Sequence, residues 1–154
     1  MVWCPLLSRI QEPEPEPEEE SEPDKHFPVI QGWLEKRNGS YPNNLRNRWV
    51  VVKGSWFLWN DIEHECGDPN DPEERYHFSK CFSLLKVDSV DRVDSGKEKR
   101  RFKIVVSIGD KKKEYIWRTE SEEKRNRWVM ELKYRIEYYK SKVDVMSSDV
   151  AEIY

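Results

Sequence analysis

Short strand-like runs separated by turn residues fill the chain from residue 28 to residue 118, and they limit its possible folds most strongly. The runs are rich in β-branched and aromatic residues. Gly54-Ser55 and Gly109-Asp110 are typical two-residue turns between neighbouring runs. Strands are predicted at residues 28–37, 46–53, 79–87, 89–93, 101–108 and 113–118, and one more begins with Trp56-Phe57-Leu58-Trp59. The pattern predicts a mainly β domain of seven strands.

One helical pattern follows the last strand. Thr119 is predicted as its N-cap, because Glu122 stands three residues later and completes a capping box. An apolar stripe then recurs at helical spacing, formed by Trp128, Val129, Leu132, Ile136 and Tyr139. We therefore expect a C-terminal helix that buries this stripe, with Trp128 in the core.

Charge divides the chain into three parts. Residues 1–26 hold eight acids against Arg9 and Lys25, and their Pro-Glu repeat predicts a disordered acidic tail. Residues 143–154 hold three acids and no cation and are predicted as a second flexible acidic tail. The middle, residues 27–142, carries 25 cations and 19 acids, a net +6. A basic domain between acidic tails favours anionic partners.

Several functional classes are disfavoured by what the sequence lacks. No run approaches the ~18 apolar residues of a membrane-spanning helix, and the first ten residues have no basic region ahead of their apolar stretch, so they make a poor signal peptide. The three cysteines are odd in number and scattered, which favours a reducing, cytosolic setting. The sequence contains no phosphate loop, nucleophile elbow or zinc-protease motif, so we predict a binding module without a cofactor and not an enzyme.

His64, Cys66, His77 and Cys81 carry the ligand atoms that zinc accepts. In an extended chain the Cα atoms of His77 and Cys81 would be about 13 Å apart. That is too far for one coordination sphere with bonds of ~2 Å. We expect packing or surface roles for these residues and no metal site.

Three cations converge at one predicted hairpin. Lys36 ends the first strand, and Arg46 and Arg48 open the second, two residues apart and hence on one face. Arginine offers a planar fork to phosphate oxygens, and lysine offers a movable charge. The three side chains are predicted to bind a multiply phosphorylated headgroup, although a solvated strand edge protected by charge would look similar.

Three pieces of the sequence resemble the pleckstrin-homology (PH) domain family, over about residues 29–140. They are Gly32-Trp33-Leu34-Glu35-Lys36, the second strand through Gly54, and the closing helix with Trp128. The spacing of Lys36, nine residues and Arg46-x-Arg48 is similar to the phosphoinositide signature of part of that family. The resemblance implies a bent, seven-stranded antiparallel sandwich or barrel capped by the C-terminal helix. It also implies that loops 38–45, 60–78 and 109–112 surround the opposite end. Many phosphoinositide-binding members of the family present a tyrosine on the third strand, whereas this sequence has Phe57-Leu58-Trp59 there, without a hydroxyl.

Further cations are predicted around this site. Arg37 and Lys53 are possible outer contributors, and Lys111, Lys112 and Lys113 are predicted to sense an anionic membrane surface. A second basic patch comprises Lys97, Lys99, Arg100, Arg101 and Lys103. It has three interpretations: a solvated strand end, a nucleic-acid or import patch, or a second lipid contact.

The sequence supports two main hypotheses for function. The first is a phosphoinositide- or anionic-lipid-binding module, cytoplasmic and reversibly recruited to a membrane, with the plasma membrane as the expected target. The second is an adaptor of the same fold that docks a protein partner through its acidic insertion, residues 60–78, or an exposed aromatic strand. Nucleic-acid binding is not expected, because no other fingerprint of it accompanies the patch at 97–103.

The acidic tail offers a regulatory hypothesis. Its eight carboxylates are attached beside the first strand, whose far end carries Lys36. About ten extended residues reach ~30 Å, so the tail is long enough to cover the cations as a decoy for lipid phosphates. An inert solubilising tail is the simpler alternative.

Overall fold

The computed structural model describes residues 27–153 except 40 and 42, and it describes side chains up to residue 143 except that of residue 95. The predicted tail at 1–26 lies outside the described residues. The strands are β1 (Ile30–Arg37), β2 (Leu45–Lys53), β3 (Trp56–Asn60), β4 (Lys80–Ser83), β5 (Val87–Ser95), β6 (Glu98–Ile108) and β7 (Lys111–Arg118). Helix α1 (Pro72–Tyr76) lies between β3 and β4, a 3-10 turn (Leu84–Lys86) joins β4 to β5, and α2 spans Glu122–Ile153.

All seven strands form one antiparallel sheet in the order β4-β3-β2-β1-β7-β6-β5. The two-residue turns after β2 and β6 have glycines at positive φ, 57° at Gly54 and 65° at Gly109, where a side chain would be strained. β4 and β5 are the two edges of the sheet and do not pair with each other, so the sheet is not closed. The predicted fold class is confirmed, with an open sheet in place of a closed barrel.

The core lies between the inner face of the bent sheet and α2. Alternate residues of each strand point inward, as a period of two requires. They include Val50, Phe57, Phe102 and Trp117, all at 0% exposure. From the helix, Val129, Leu132 and Tyr139 complete this core. Trp128 is only partly buried against it, so the expectation of a fully buried Trp128 is corrected: it lies at the margin of the stripe.

Helix α2 begins two residues later than the predicted capping box. The Ser121 hydroxyl accepts a hydrogen bond from the Lys124 N–H at 3.2 Å and so caps the helix. The Thr119 hydroxyl oxygen instead lies 3.2 Å from the Arg100 carbonyl oxygen and 2.6 Å from the Ser121 carbonyl oxygen, so its one hydrogen is shared between these two acceptors. The prediction of Thr119 as N-cap is wrong because that side chain fixes the end of β7 against β6.

Two buried arginines attach α2 to the sheet. Arg125 is 1% exposed and donates to Asp94 at 2.7 Å and to the Arg101 carbonyl at 3.2 Å. Arg135 is 0% exposed, donates to the Pro28 carbonyl and lies 5.0 Å from the Phe27 ring centroid. Because a buried charge needs such partners, these contacts fix the helix at two points.

The backbone of α2 remains helical as far as Ile153. The sequence had instead predicted a flexible tail from residue 143 onwards. Among the described residues, no helix combines the length and apolar character needed to cross a membrane.

Candidate functional site

The end of the β1–β2 hairpin places Lys36 and Arg46 directly opposite each other in the strand register. Arg48 pairs with Leu34, two residues further along each strand and away from the hairpin loop. Leu34 and Val50 belong to the core, so the alternation of each strand points Lys36, Arg46 and Arg48 to the inner face, where the core ends. The structure therefore brings the three predicted phosphate ligands together at one open end of the sheet.

Two further lysines, on other strands, complete this surface. Lys80 opens β4 opposite Trp59, and Lys113 on β7 alternates with Tyr115 and Trp117, so both share the inner face. We call these five residues the basic rim: Lys36, Arg46, Arg48, Lys80 and Lys113. Sequence analysis missed Lys80, although Phe82, two residues later, marks the inward face of β4.

An aromatic floor lies below the basic rim. The ammonium nitrogens of Lys36 and Lys113 lie 5.7 and 5.2 Å from the centroid of the same ring, that of Tyr115. This ring packs against Trp59 and Phe82 at centroid distances of 5.2 and 5.4 Å. Cation–π attraction therefore helps to hold two like charges close together. The resemblance directed attention to a tyrosine on the third strand, whereas the structure supplies one from β7.

The electrostatics of Lys36 reflect this crowding. Burial first, and then the positive charges of Lys113, Arg48, Lys80 and Arg37, lower the pKa of Lys36 below its usual 10.5. Burial likewise raises the pKa of the Tyr115 phenol. Within the described residues, no carboxylate lies within salt-bridge distance of any cation of the basic rim. The rim is thus a cluster of mutually repelling charges that an anion would relieve.

The three lysines at the start of β7 do not act as one group. Lys111 and Lys113 share the inner face, whereas Lys112 points to the other face of the strand. There Lys112 pairs with Asp88 at 2.6 Å, and hydrogen bonds from Lys112 and from Ser107 hold the pKa of Asp88 below its usual value. Lys112 therefore lies apart from the basic rim, and its membrane contact stays a prediction.

Lys53 does not belong to the site either. It stands at the opposite end of β2 from Arg46, about 24 Å away along the strand. Its ammonium nitrogen donates to the Cys66 carbonyl at 2.9 Å and so holds the acidic insertion. The prediction that Lys53 contributes to phosphate binding is wrong for this geometric reason, whereas Arg37 lies next to Lys36 and contributes to its local potential.

The second basic patch is divided between two faces and several ion pairs. Arg100 and Arg101 contact Glu98 at 3.1 and 3.8 Å, and Lys103 lies 3.8 Å from Glu114. Burial alone would raise the pKa of Glu98, but hydrogen bonds from Arg100 and Arg118 outweigh it and lower the pKa. Lys97 and Lys99 are exposed and have no such pair among the described residues. The cations at 97–103 are therefore not one free patch.

The acidic insertion folds back over the outer face of β2 and β3. Cys66 and Phe78 form a small buried cluster with Val51 and Leu58. The Arg75 guanidinium lies 4.1 Å from the Trp56 ring centroid, and Trp56 stands at the end of β3 opposite the basic rim. The middle of the insertion, with Asp68, Asp71, Glu73 and Glu74, is therefore carried away from the rim.

The residues considered for zinc separate into different environments. The rings of His64 and His77 lie 5.2 Å apart between centroids, while Cys66 is buried in the small cluster. Burial raises the pKa of the Cys81 thiol, with Arg75 opposing the shift. In the described part of the chain, no three histidine, cysteine or acidic side chains meet in a way that could hold a metal ion.

Comparisons with known proteins identify the fold. The family model described as PH domain matches residues 28–137. The N-terminal PH domain of human ARAP2 is 22% identical, with a TM-score of 0.53, and the match covers 72% of this chain and 81% of that domain. The Slm1 PH domain in complex with inositol-4-phosphate is 13% identical, with a TM-score of 0.54, over 70% of this chain and 94% of the other.

A larger assembly also matches. The DH/PH domains of PDZ-RhoGEF, solved in complex with GTP-gamma-S activated RhoA, are 17% identical with a TM-score of 0.53. That match covers 71% of this chain and 29% of the other. No curated protein sequence matches the chain.

Proposed function

The chain belongs to the PH domain family, and we propose that it binds phosphoinositides in an anionic membrane through the basic rim. PH domains are in general non-catalytic binding modules. Binding would recruit the protein reversibly from the cytoplasm to a membrane, with the plasma membrane as the expected target.

One observation carries this proposal: five cations share one open end of the sheet, two of them over the Tyr115 ring, with no carboxylate partner among the described residues. A folded domain normally pairs or separates like charges, because they destabilise it. A cluster left unpaired is suited to a ligand that brings several negative charges. Phosphate groups do so, and arginine and lysine bind them by charge-assisted hydrogen bonds.

The arrangement divides the work between arginine and lysine. Arg46 and Arg48 supply planar forks on one strand, of which Arg48 is held by a 2.7 Å hydrogen bond to the Asn47 carbonyl. Lys36 and Lys113 supply ammonium groups from two other strands above Tyr115. The Slm1 PH domain, solved with inositol-4-phosphate, supports a phosphoinositol ligand for this fold. Ligand binding in that domain is described as lying in the non-canonical site, so the choice of the basic rim rests on the geometry of this chain alone.

A liposome co-sedimentation series tests the proposal. The full chain is mixed with neutral vesicles, with phosphatidylserine vesicles, and with vesicles that also carry a phosphoinositide, at low and at high salt. Headgroup recognition predicts stronger binding to the phosphoinositide vesicles that persists in part at high salt. Equal binding to every anionic vesicle, lost in salt, would show a merely basic surface and would contradict the proposal.

A protein partner is the second candidate, favoured by the surface of the acidic insertion. Tyr76 and Ile62 are 83% and 65% exposed there, beside exposed acids such as Glu63 and Glu73. Apolar side chains among carboxylates suit a basic partner. Retention of the chain on a basic peptide matrix, lost in Tyr76→Ala, would support this candidate; equal retention of both proteins would argue against it.

A further inference from the structure

Strand β1 has a backbone edge that is only partly covered. One side of β1 pairs with β2 along its whole length, from Ile30 to Arg37. On the other side, β7 pairs only with Glu35 and Lys36. From Ile30 to Leu34, the N–H and C=O groups that point away from β2 have no strand partner in the part of the chain that the structure describes. An extended segment can add to an edge of this kind.

This edge forms one wall of a groove of about 740 Å³. The first turns of α2 form the other wall, with Lys124, Arg127 and Trp128. Trp33 also lines the groove; it is 46% exposed, and its ring packs against Trp49 at 5.5 Å between centroids. The cations of the basic rim do not line the groove, so it is a separate surface.

The groove is positively charged. Its lining includes five cations, Arg100, Arg118, Lys124, Arg127 and Arg135, against three acids, Glu35, Glu120 and Glu131. Each acid already faces a cation: Glu35 contacts Arg118 at 2.7 Å, Glu120 pairs with Lys124, and Glu131 lies 3.9 Å from Arg135. Arg127 is exposed and has no carboxylate partner among the described residues. An occupant with carboxylates and apolar rings fits this lining.

We propose that residues 12–18 of this chain, Glu-Pro-Glu-Pro-Glu-Pro-Glu, occupy the groove as an extended segment along the open edge of β1. The strict alternation of the segment is the main argument. In an extended chain, residues two apart direct their backbone groups to the same edge and their side chains to the same face. Pro13, Pro15 and Pro17 therefore share one edge, while Glu14, Glu16 and Glu18 share the other.

The glutamate edge keeps all its N–H donors and can pair with β1. The proline edge has none, so it prevents addition of another strand, as prolines do on natural edge strands. The side chains divide in the same way, with three proline rings on one face and the carboxylates on the other. The rings suit contact with Trp33 and Trp128, and the carboxylates suit Arg127.

The attachment point of the segment also fits. The described chain begins at Phe27, which packs on Arg135, and Pro28 and Arg135 both line the groove. Eight residues, 19–26, separate Glu18 from Phe27. That length allows the chain to reverse and run antiparallel to β1 from Ile30 to Leu34. Tethering raises the local concentration of the segment at the groove to the order of millimolar.

Amide hydrogen exchange measured by NMR on the full chain tests this proposal. The first variant, Glu14→Pro with Glu16→Pro and Glu18→Pro, removes the donors of the pairing edge while keeping the chain extended. The second, Glu14→Gln with Glu16→Gln and Glu18→Gln, keeps the donors and removes the charge. The amides of β1 that face the groove should exchange about tenfold faster in the proline variant than in wild type, and the increase in rate should be smaller in the glutamine variant. The β1 amides that face β2 should be unchanged in both.

Three results would overturn the proposal. Equal exchange of the groove-facing amides in wild type and the proline variant would mean that the tail does not lie there. Tail-dependent shifts at Arg46 and Arg48, with none at Trp33, would place the tail on the basic rim. Protection that grows with protein concentration, together with a dimer mass, would identify a second copy as the occupant. Folding is checked in the same spectra from the amides of β6.

Discussion

Replacing Lys36 by methionine should stabilise the fold and weaken ligand binding at the same time. The ammonium group of Lys36 lies among four other cations, and burial and repulsion both lower its pKa. Methionine keeps an unbranched apolar stem but removes the charge. If Lys36 contributed packing alone, methionine would leave the free energy of unfolding nearly unchanged.

The size of the effect follows from the geometry. The nitrogens of Lys36 and Lys113 lie 5.7 and 5.2 Å from one ring centroid, so they are at most about 11 Å apart. At that separation two charges repel by about 0.4 kcal/mol in water and about 1.5 kcal/mol at an effective dielectric constant of ~20. The other three cations add smaller terms, solvent screens all of them, and the lost cation–π contact removes ~0.5 kcal/mol. We expect a net gain of roughly 0.5–1 kcal/mol, or a Tm higher by about 2–5 °C.

Thermal unfolding at pH 7 in low and high salt measures this gain, which should shrink as salt screens the repulsion. The sign of the pH dependence also follows. Because the folded pKa of Lys36 lies below 10.5, its penalty is present at neutral pH and disappears as pH rises through the folded value towards 10.5. The advantage of the variant should therefore vanish in strong alkali.

Binding and a control complete the test. Lys36→Met should weaken phosphoinositide-dependent liposome binding about tenfold, the effect of losing one charge-assisted hydrogen bond. Lys86→Met is the matched control, because Lys86 is exposed and is not among the cations that lower the pKa of Lys36. A lower Tm for Lys36→Met, or an equal gain for Lys86→Met, would refute the electrostatic reasoning.

Three further predictions concern the same framework. Lys113→Ala should weaken liposome binding several-fold while Lys112→Ala leaves it unchanged, because only Lys113 joins the basic rim; equal losses would contradict the assignment of faces. Glu35→Gln should lower the free energy of unfolding by about 1 kcal/mol at pH 7. Because Arg118 lowers the pKa of Glu35, the difference in unfolding free energy between wild type and variant should shrink in urea titrations as pH falls below 4.5. A difference that stays constant with pH would contradict a stabilising pair between Glu35 and Arg118. Leu132→Ala should cost about 3 kcal/mol and Trp128→Ala about 2, because only Leu132 is fully buried; the reverse order in urea denaturation would show that Trp128 anchors the helix.

Local patterns were sufficient for most of the fold and for placing three of the five residues of the basic rim together. Side chains alternate between the two faces along β1 and β2, and the two strands form a hairpin. These two features alone predict that Lys36, Arg46 and Arg48 lie close together, because the buried positions set the register of the pairing. The strand predictions agree with β1 to β7 to within a few residues at most ends. Such boundaries are the least certain part of any sequence-based prediction.

Long-range placement could not be read from the sequence. Lys80 and Tyr115 reach the site because β4 and β7 return to it, and nothing local to either residue reveals this. The helical stripe extends one turn back to Arg125, but an apolar pattern gives no signal for a buried arginine that pairs with Asp94. The shift of the N-cap from Thr119 to Ser121 likewise depends on a distant carbonyl, that of Arg100.

The most direct test of the proposed function is phosphoinositide-dependent liposome binding of the double variant Arg46→Ala with Arg48→Ala, compared with wild type. Both side chains lie at the open end of the sheet outside the core, so the circular dichroism spectrum should not change. We predict that the dependence on phosphoinositide is lost, while any weak, salt-sensitive binding to anionic vesicles remains. Binding equal to that of wild type, with the fold intact, would show that the basic rim is not the phosphoinositide site.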